Sequence, residues 1–363
     1  MFELGDIDFG TVITSILRQE DVTDLMIWDD EIWVTDIRRG HYRIDLHGWT
    51  EQDVAEMTAT VSRLPRQVAL RMKMAYNDSD PILDGEGLFP GIGQLRFNVI
   101  HENLTATGRP ALAIRKSIHR LRIDHDAIIA TRYADERFLQ LMQVLVDCGC
   151  NIIIAGETGS GKTELLRYLA RWIRPNQAII TIEDTLEAYL KDLYPDHNVL
   201  ALKATAVVGI GDLLRPCLRQ NPDWICVSET RGREVNYLLE AVSTGHRLLS
   251  TIHTNSAANI PLRMLEMSGI ASQDRVMLYR QIFNHIDIGI YISYRNDDQG
   301  SHRRVAEVAE FYLGQDMEPV TNALYTYDFK DGRITYGRLS SPKVFRKAFE
   351  RQTSLVNLQG VFV

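Results

Sequence analysis

The segment NIIIAGETGSGKTELLRYLARW, which begins at Asn151, constrains the fold of this chain more than any other. Within it, GETGSGKT (residues 156–163) fits the pattern G-x-x-x-x-G-K-[ST] in full. An apolar strand before this pattern and an amphipathic helix after it are the context in which it forms a phosphate-binding loop. The segment therefore predicts a strand, a phosphate loop and a helix within an α/β domain.

Each residue type in the loop has a physical role. Gly156, Gly159 and Gly161 permit positive φ and a close backbone approach, so that N–H groups can surround phosphates. The helix that begins near Lys162 adds the positive end of its dipole. Lys162 is expected to reach the β- and γ-phosphates, and the Thr163 hydroxyl to ligate Mg²⁺. The other loop residues predicted to contact the nucleotide are Glu157, Thr158 and Ser160.

Carboxylates follow two further apolar segments. TIEDTLE places Glu183, Asp184 and Glu187 after the next strand, and the strand in WICVSETRGRE ends in Glu229. Ligands of open parallel sheets bind at the carboxyl ends of the strands. Acids there can orient a water or hold Mg²⁺ through water. The alternatives are a solvated acidic loop for the first segment and an acid at a helix N-terminus for the second.

Two histidines, His246 and His253, lie seven residues apart around the apolar segment RLLSTI. One of them could be a core residue with a satisfied ring. Two histidines that flank one strand instead favour a sensor that contacts the γ-phosphate or an adjacent subunit. Zinc is not expected, because no cysteine or third ligand lies at a suitable spacing.

The pattern of apolar segments predicts two domains. From Asn151 onward strands alternate with helices, which is typical of a parallel sheet wrapped by helices, and strands return from about Asn284. Residues 1–118 predict an α+β domain, with a hairpin in DLMIWDDEIWVTDIRRGHYRI and a helix that Thr50 and Asp53 cap. The charged stretch 119–135 is interpreted as a linker, and residues 136–363 as the C-terminal domain.

Composition narrows the class of protein. A length of 363 residues suits two domains, and a net charge of −8 argues against a main role in gripping nucleic acid. No stretch approaches the roughly 20 apolar residues of a membrane span. The acidic N-terminus does not resemble a secretory signal, so a cytoplasmic protein is expected. The four cysteines are interpreted as buried hydrophobes.

The motifs GETGSGKT, TIEDTLE, LRQNPDWICVSETRG and TGHRLLSTIHTNSA together resemble those of the secretion ATPase superfamily. Its members power type II secretion, type IV pili and type IV secretion or conjugation. The four segments look like its Walker A motif, Asp box, atypical Walker B motif and His box, in that order. Ser228 departs from the family, which usually has Gly before the Walker B glutamate. The lack of a CxxC…CxxC element argues against the type II secretion and pilus-extension branch, and the segments EDT, ETRG and VAEVAEFYLG favour the type IV secretion and tight-adherence pilus branch.

The resemblance implies a fold and a set of site residues. The implied fold is α/β, a C-terminal RecA-like P-loop NTPase domain with a smaller α+β, PAS-like N-terminal domain. Glu187 looks like the catalytic glutamate, and Glu229 like the Walker B glutamate, which can hold Mg²⁺ through water. His246 and His253 look like the His-box pair. The segments LRFNV and GRPALAIRK are similar to the family segment that offers arginines to nucleotide phosphates, and they contain Arg96, Arg109 and Arg115.

The resemblance also implies an activity and partners. The expected protein hydrolyses ATP with Mg²⁺, forms a ring of six chains and works from the cytoplasmic side on inner-membrane components of a secretion or pilus machine. Direct nucleic-acid binding is not expected. One alternative is a nucleic-acid motor, a packaging or translocating ATPase on the same core, which would need a basic, aromatic-lined channel. Another is a scaffold that binds ATP without turnover, although such a scaffold need not keep Glu187 and Glu229.

Overall fold

A computed structural model of the chain describes all residues except 1, 6, 30, 38, 118–119, 206, 271–273, 298–299, 359–361 and 363. The chain divides into two compact units. The first comprises Met1–His119 with Asn296–Ser301, and the second comprises Arg120–Arg295 with His302–Val363. Within the described residues, no helix combines the length and apolar character that crossing a membrane requires.

The first unit is an α+β fold built on one seven-stranded sheet. Its elements are β1 (Phe2–Glu3), α1 (Gly10–Arg18), β2 (Val22–Trp28), β3 (Glu31–Asp36), β4 (Gly40–Arg43), α2 (Glu51–Met72), β5 (Ile82–Phe89), β6 (Gly93–Ile100) and β7 (Ala111–Lys116). The strand order is β1-β5-β6-β7-β2-β3-β4, and every pairing is antiparallel except that of β1 with β5. Apolar residues of α1 and α2 pack with inward-facing strand residues into one core.

Two local predictions for this unit are confirmed. The hairpin forms as β2 and β3, with Leu25 opposite Val34. The Thr50 side chain accepts a hydrogen bond from the Asp53 N–H, and the Asp53 carboxylate accepts one from the Thr50 N–H, which is a capping box. Helix α2 continues through Pro65 and ends at Met72, because its later apolar residues are also buried in the core.

The second unit is a nine-stranded sheet covered by helices. Its elements are α3 (His125–Ala130), α4 (Glu136–Asp147), β8 (Ile152–Gly156), α5 (Lys162–Leu169), β9 (Ala178–Glu183), α6 (Leu190–Leu193), β10 (Asn198–Lys203), α7 (Ile210–Leu218), β11 (Trp224–Thr230), α8 (Glu234–Ser243), β12 (Arg247–Ile252), α9 (Ile260–Met267), α10 (Arg275–His285), β13 (Ile288–Asp297), β14 (Gly300–Leu313), β15 (Pro319–Tyr327), β16 (Ile334–Tyr336) and α11 (Pro342–Glu350). The strand order is β10-β9-β11-β12-β8-β13-β14-β15-β16.

The parallel part of this sheet positions the candidate site. The strands from β10 to β13 in that order pair in parallel, and the inner ones are almost wholly buried because helices cover both faces. One core cluster includes residues of α4, α5 and α11, and the other includes residues of α7 to α10. The segments that follow β8, β12, β11 and β9 therefore emerge side by side at one edge, which we call the carboxyl edge.

The opposite edge, which we call the amino edge, is closed by a buried ion cluster. The Asp287 carboxylate lies 3.1 Å from Lys343 Nζ and 2.5 Å from Lys347 Nζ, and it accepts a 2.6 Å hydrogen bond from the Asn151 N–H. Burial favours protonation of Asp287, but the two lysines outweigh burial and hold its pKa below the usual range. The Asn151 side chain adds bonds to the His285 carbonyl (2.6 Å) and the Leu248 N–H (2.9 Å).

The segment 119–135, which the sequence analysis interprets as a linker, contains helix α3. From Arg120 onward it belongs to the second unit, and Ile128 and Tyr133 are buried in that unit's core. These apolar side chains explain why the segment is ordered in spite of its many charges. The domain boundaries at residues 118 and 136 stay a prediction.

Candidate active site

The phosphate loop connects β8 to α5 in a conformation that depends on glycine. Gly161 caps α5 with φ of 91°, a left-handed conformation that glycine adopts without strain. A Cβ at Gly156 would lie 2.9 Å from the Ile292 carbonyl oxygen, too close for any side chain. The loop therefore keeps its backbone close to β13, and the amino end of α5 opens at the carboxyl edge.

Lys162 is 7% exposed and lies under the loop. Its Nζ donates to the carbonyl oxygens of Gly156 and Glu157, each at 3.0 Å, and lies 3.4 Å from both ring nitrogens of His253. Among the described residues, no carboxylate forms an ion pair with this ammonium. Burial, reinforced by Arg231 and opposed by Glu229, lowers the pKa of Lys162 to about 8.

A series of hydrogen bonds and ion pairs extends from His253 across the carboxyl edge. His253 Nε2 lies 3.1 Å from Glu229 Oε1. The Arg231 guanidinium contacts both oxygens of the Glu229 carboxylate, with Nε 2.7 Å from Oε1 and Nη2 2.8 Å from Oε2. Arg231 also reaches Asp184 Oδ2 at 3.2 Å. Burial raises the pKa of Glu229, but Arg231, His253 and Lys162 outweigh burial, and the net pKa is below the usual value. The carboxylate is therefore ionised.

His253 is held as a neutral ring. Burial and the neighbouring Lys162 lower its pKa, although Glu229 opposes them. A neutral imidazole with its proton on Nε2 can donate to Glu229 while Nδ1 accepts from Lys162. A protonated ring could make only the first of these contacts and would face the lysine cation.

Two glutamates predicted after β9 have different surroundings. Glu183 is 1% exposed, and its Oε2 accepts the backbone N–H groups of Glu187 and Ala188, both at 2.8 Å. Burial raises the pKa of Glu183, and these hydrogen bonds only partly offset the rise. Its carboxylate thus shapes the turn. Glu187 lies within electrostatic range of Arg231 and Arg122, which places it beside this series of charged groups.

A cavity of about 380 Å³ opens beside the loop. It is lined by Gly156, Glu157, His253, Thr254, Asn255 and Arg263. Its position next to the amino end of α5 and the Lys162 environment suits the terminal phosphates of a nucleotide.

Comparison with known proteins identifies the family. The family model described as type II/IV secretion system protein matches residues 104–285, which is half of the chain. The chain belongs to this family. The predicted recognition of the secretion ATPase superfamily is therefore confirmed.

Relatives in the family carry names from conjugation and type IV secretion. A putative conjugal transfer protein of Mycobacterium tuberculosis is 30% identical over 82% of this chain and 83% of its own length. Conjugal transfer protein TrbB of Rhizobium radiobacter is 31% identical over 66% of this chain and 71% of its own. An uncharacterized Bacillus anthracis protein is 29% identical over 78% of this chain, which spans 61% of that protein.

Solved structures of secretion ATPases have the same fold. The ATPase DotB of Legionella pneumophila has a TM-score of 0.58 at 18% identity, with 87% of this chain and 85% of that chain covered. The pilus retraction motor PilT also has a TM-score of 0.58, at 22% identity, with 81% and 80% covered. The predicted fold class, a RecA-like P-loop domain with a smaller α+β N-terminal domain, is thus confirmed.

The structure separates the two histidines of the His box. His253 follows β12 and lies at the carboxyl edge, whereas His246 precedes β12 and lies at the amino edge. Six strand residues separate them, which is roughly 20 Å. The His246 ring Nδ1 lies 2.8 Å from the Pro222 carbonyl oxygen. His246 therefore does not join this chain's phosphate loop, and a contact with an adjacent subunit stays a prediction.

The predicted arginines of the first unit lie on or next to its sheet. Arg96 on β6 is directly opposite Arg115 on β7, so both side chains are on one face. Arg115 Nε pairs with Asp24 at 2.7 Å. Arg109 lies just before β7 and its carbonyl accepts from Thr105 Oγ1. Their contact with nucleotide phosphates stays a prediction.

Three residues of the site were not assigned a role from the sequence. Arg231 joins Glu229 to Asp184, and its place two residues after the strand acid was the available signal. Arg303 Nε donates to the Gly159 carbonyl at 2.9 Å from strand β14, which is remote in sequence. Arg263 lines the cavity from helix α9. No local sequence pattern marks the last two.

Proposed function

We propose that this chain is an ATPase that hydrolyses ATP with Mg²⁺ and drives a membrane-associated secretion, conjugation or pilus machine. One observation carries the proposal. A buried lysine that pairs with no carboxylate in the described part of the chain lies between a helix amino end and the hydrogen-bonded series His253–Glu229–Arg231. The phosphates of a nucleoside triphosphate would supply an anionic partner for this lysine.

The loop residues fit the nucleotide. The backbone N–H groups from Gly156 to Thr163 and the dipole of α5 favour anionic phosphates, and Lys162 would turn from its loop carbonyls to phosphate oxygens. The other contacts proposed in the loop are Glu157, Thr158, Gly159, Ser160 and Gly161. Thr163, with Glu229 through water, would hold Mg²⁺, which neutralises charge on the phosphates.

The acidic residues after β9 have different proposed roles. Glu187 would orient the attacking water and accept its proton, because it lies within electrostatic range of Arg231 and Arg122 at the carboxyl edge. Glu183 shapes the Glu187 turn, and Asp184 holds Arg231. Neutral His253 would donate a hydrogen bond near the γ-phosphate. Arg96, Arg109 and Arg115 would add positive charge from the N-terminal domain.

We propose the domain division of residues 1–118, 119–135 and 136–363, with a ring of six chains. In this proposal ATP closes the N-terminal domain on the C-terminal domain, and hydrolysis releases it. The ring would act in the cytoplasm, in contact with inner-membrane components of the machine. Names of relatives from conjugal transfer and type IV secretion support this role.

The test measures phosphate release from Mg-ATP together with mass by light scattering. We expect slow turnover from a species about six times the 41.4 kDa chain. Glu187→Gln and Glu229→Gln should bind ATP but lower turnover by about 10²- to 10⁴-fold, since each loses a charged carboxylate. Binding without turnover in the wild type would instead indicate a scaffold. DNA-stimulated turnover with a steep salt dependence would indicate a nucleic-acid motor.

A further inference from the structure

Strand β14 carries none of the four motifs, yet its side chains hold two loops of the site. Arg303 Nε donates to the Gly159 carbonyl in the phosphate loop at 2.9 Å. Glu307 Oε2 accepts from the Ala257 N–H at 2.8 Å, in the loop that follows His253. The two side chains are four residues apart, so they lie on one face of the strand.

The Arg303 contact braces the outside of the phosphate loop. Its guanidinium carbon lies 4.8 Å from the centre of the Tyr294 ring. A Cβ at Gly161 would lie 3.7 Å from Arg303 Cδ, and one at Gly159 would lie 3.8 Å from the Tyr294 ring, so both side chains lie close to the loop backbone. Because Arg303 holds the Gly159 carbonyl outward, the next N–H, that of Ser160, points back to the Glu157 carbonyl at 3.2 Å. The turn at the tip of the loop is thereby closed before any phosphate binds.

The Glu307 contact fixes the opposite wall of the cavity. Ala257 is fully buried, and Thr254 and Asn255, just before it, line the cavity across from Gly156 and Glu157. The hydrogen bond from the Ala257 N–H to Glu307 fixes the backbone conformation directly after His253. One rigid strand thus sets both the loop above Lys162 and the loop after His253.

We propose that Arg303 and Glu307 are positioning residues that fix the separation of the phosphate loop from the His253 loop. This inference rests on the proposed ATPase function. Arg303 acts through the phosphate loop, which binds the nucleotide in every state, so its loss weakens binding. Glu307 acts through His253, which is proposed to contact the reacting phosphate, so its loss slows turnover.

The experiment compares four alanine variants of the full chain. Arg303→Ala and Glu307→Ala remove the two anchors. The matched controls are Arg304→Ala, whose guanidinium lies over the Tyr327 ring at 4.0 Å, and Glu318→Ala, whose carboxylate pairs with Arg280 at the surface. The conservative variant Glu307→Gln keeps an oxygen that can accept from Ala257. The measurements are the Kd of a fluorescent ADP analogue, kcat and KM for Mg-ATP, and the melting temperature.

We expect Arg303→Ala to raise the Kd and KM about tenfold with kcat nearly unchanged, as lost charge-assisted hydrogen bonds do. Glu307→Ala should lower kcat about tenfold with little change in Kd, and Glu307→Gln should restore most of the loss. Both controls should match the wild type.

Two results would overturn the inference. If the anchor variants match the two controls while the wild type turns over ATP, the positioning roles are wrong and the ATPase proposal stands. If all variants lose kcat and affinity in proportion to a fall in melting temperature, and Glu307→Gln restores nothing, the contacts are only structural. A wild type that neither binds the ADP analogue nor hydrolyses ATP instead overturns the proposed function, and the inference with it.

Discussion

Two buried lysines at opposite edges of one sheet show how the fold separates function from stability. Lys343 at the amino edge and Lys162 at the carboxyl edge are 9% and 7% exposed. Each donates to two or more backbone carbonyls. Lys343 also pairs with the Asp287 carboxylate at 3.1 Å, whereas Lys162 has no carboxylate partner among the described residues and lies 3.4 Å from the neutral imidazole of His253.

The two edges therefore have different roles. At the amino edge, the Asp287 carboxylate offsets part of the charge of two lysines. At the carboxyl edge, Lys162 forms no ion pair with a carboxylate among the described residues, and burying such a cation is unfavourable unless an anion binds. Four predictions test the contrast between the two edges.

The largest effect is expected from removing the carboxylate of the amino edge. Asp287→Ala leaves buried Lys343 and partly buried Lys347 without their shared carboxylate and should lower the free energy of unfolding by about 3–5 kcal/mol. Urea denaturation measures the change. The control Asp331→Ala removes an exposed acid and should change stability by less than about 0.5 kcal/mol. A loss below about 1 kcal/mol for Asp287→Ala would mean that the cluster is not a stability element.

The second effect concerns binding. Lys162→Ala should weaken Mg-ATP affinity about 100-fold, because hydrogen bonds from the ammonium to two phosphates are lost. The free energy of unfolding should not fall, since the lysine has no carboxylate partner among the described residues. Equilibrium binding and urea denaturation of the same variant check both statements, with exposed Lys191→Ala as the control. Loss of stability with unchanged affinity would reverse the comparison.

The third effect is a pH dependence of binding. Burial lowers the pKa of Lys162 to about 8, and bound phosphate would raise it because phosphate favours the charged form. Affinity should therefore stay constant below about pH 8 and fall about tenfold per pH unit above it, up to the pKa of the complex. Calorimetry in buffers of different ionisation enthalpy should detect proton uptake near pH 8.5. Affinity that is flat to pH 10 would contradict the lowered pKa.

The smallest effect is expected at His246. His246→Ala removes a hydrogen bond to the Pro222 carbonyl and should change nucleotide affinity less than about twofold, whereas His253→Ala should lower turnover about tenfold. Steady-state kinetics of the two variants at equal protein concentration measure the contrast. A large loss of turnover in His246→Ala with normal affinity would support the contact across subunits.

The sequence predicts the carboxyl edge well for a physical reason. The phosphate loop, Glu229 and His253 each follow an apolar segment, and parallel strands bring such positions to one edge. The same rule could have separated His246 from His253, because one precedes and the other follows the same strand. The sequence does not predict the different surroundings of Glu183 and Glu187. They depend on which of the two carboxylates accepts hydrogen bonds from the backbone of the turn.

The sequence does not predict contacts between remote segments. Arg303 is 144 residues from Gly159, and no local periodicity marks a strand side chain as the brace of a distant loop. The composition of the C-terminal segment SPKVFRKAFERQ is typical of a solvent-exposed basic helix. Its Lys343 and Lys347 are instead partners of Asp287, because α11 packs on the amino edge of the sheet.

The Asp287 cluster also dictates when the molecule can be completed during synthesis. Asn151 and Asp287 are 136 residues apart, and Lys347 follows Asp287 by another 60. The strand before the phosphate loop can pair with β12 earlier, but its Asp287 anchor is complete only when the chain has emerged from the ribosome past residue 347, and closing such long loops is slow. A nascent chain that stalls in α10 would expose β8 without its anchor. Ribosome-bound intermediates of that length should remain open to proteases until α11 is made.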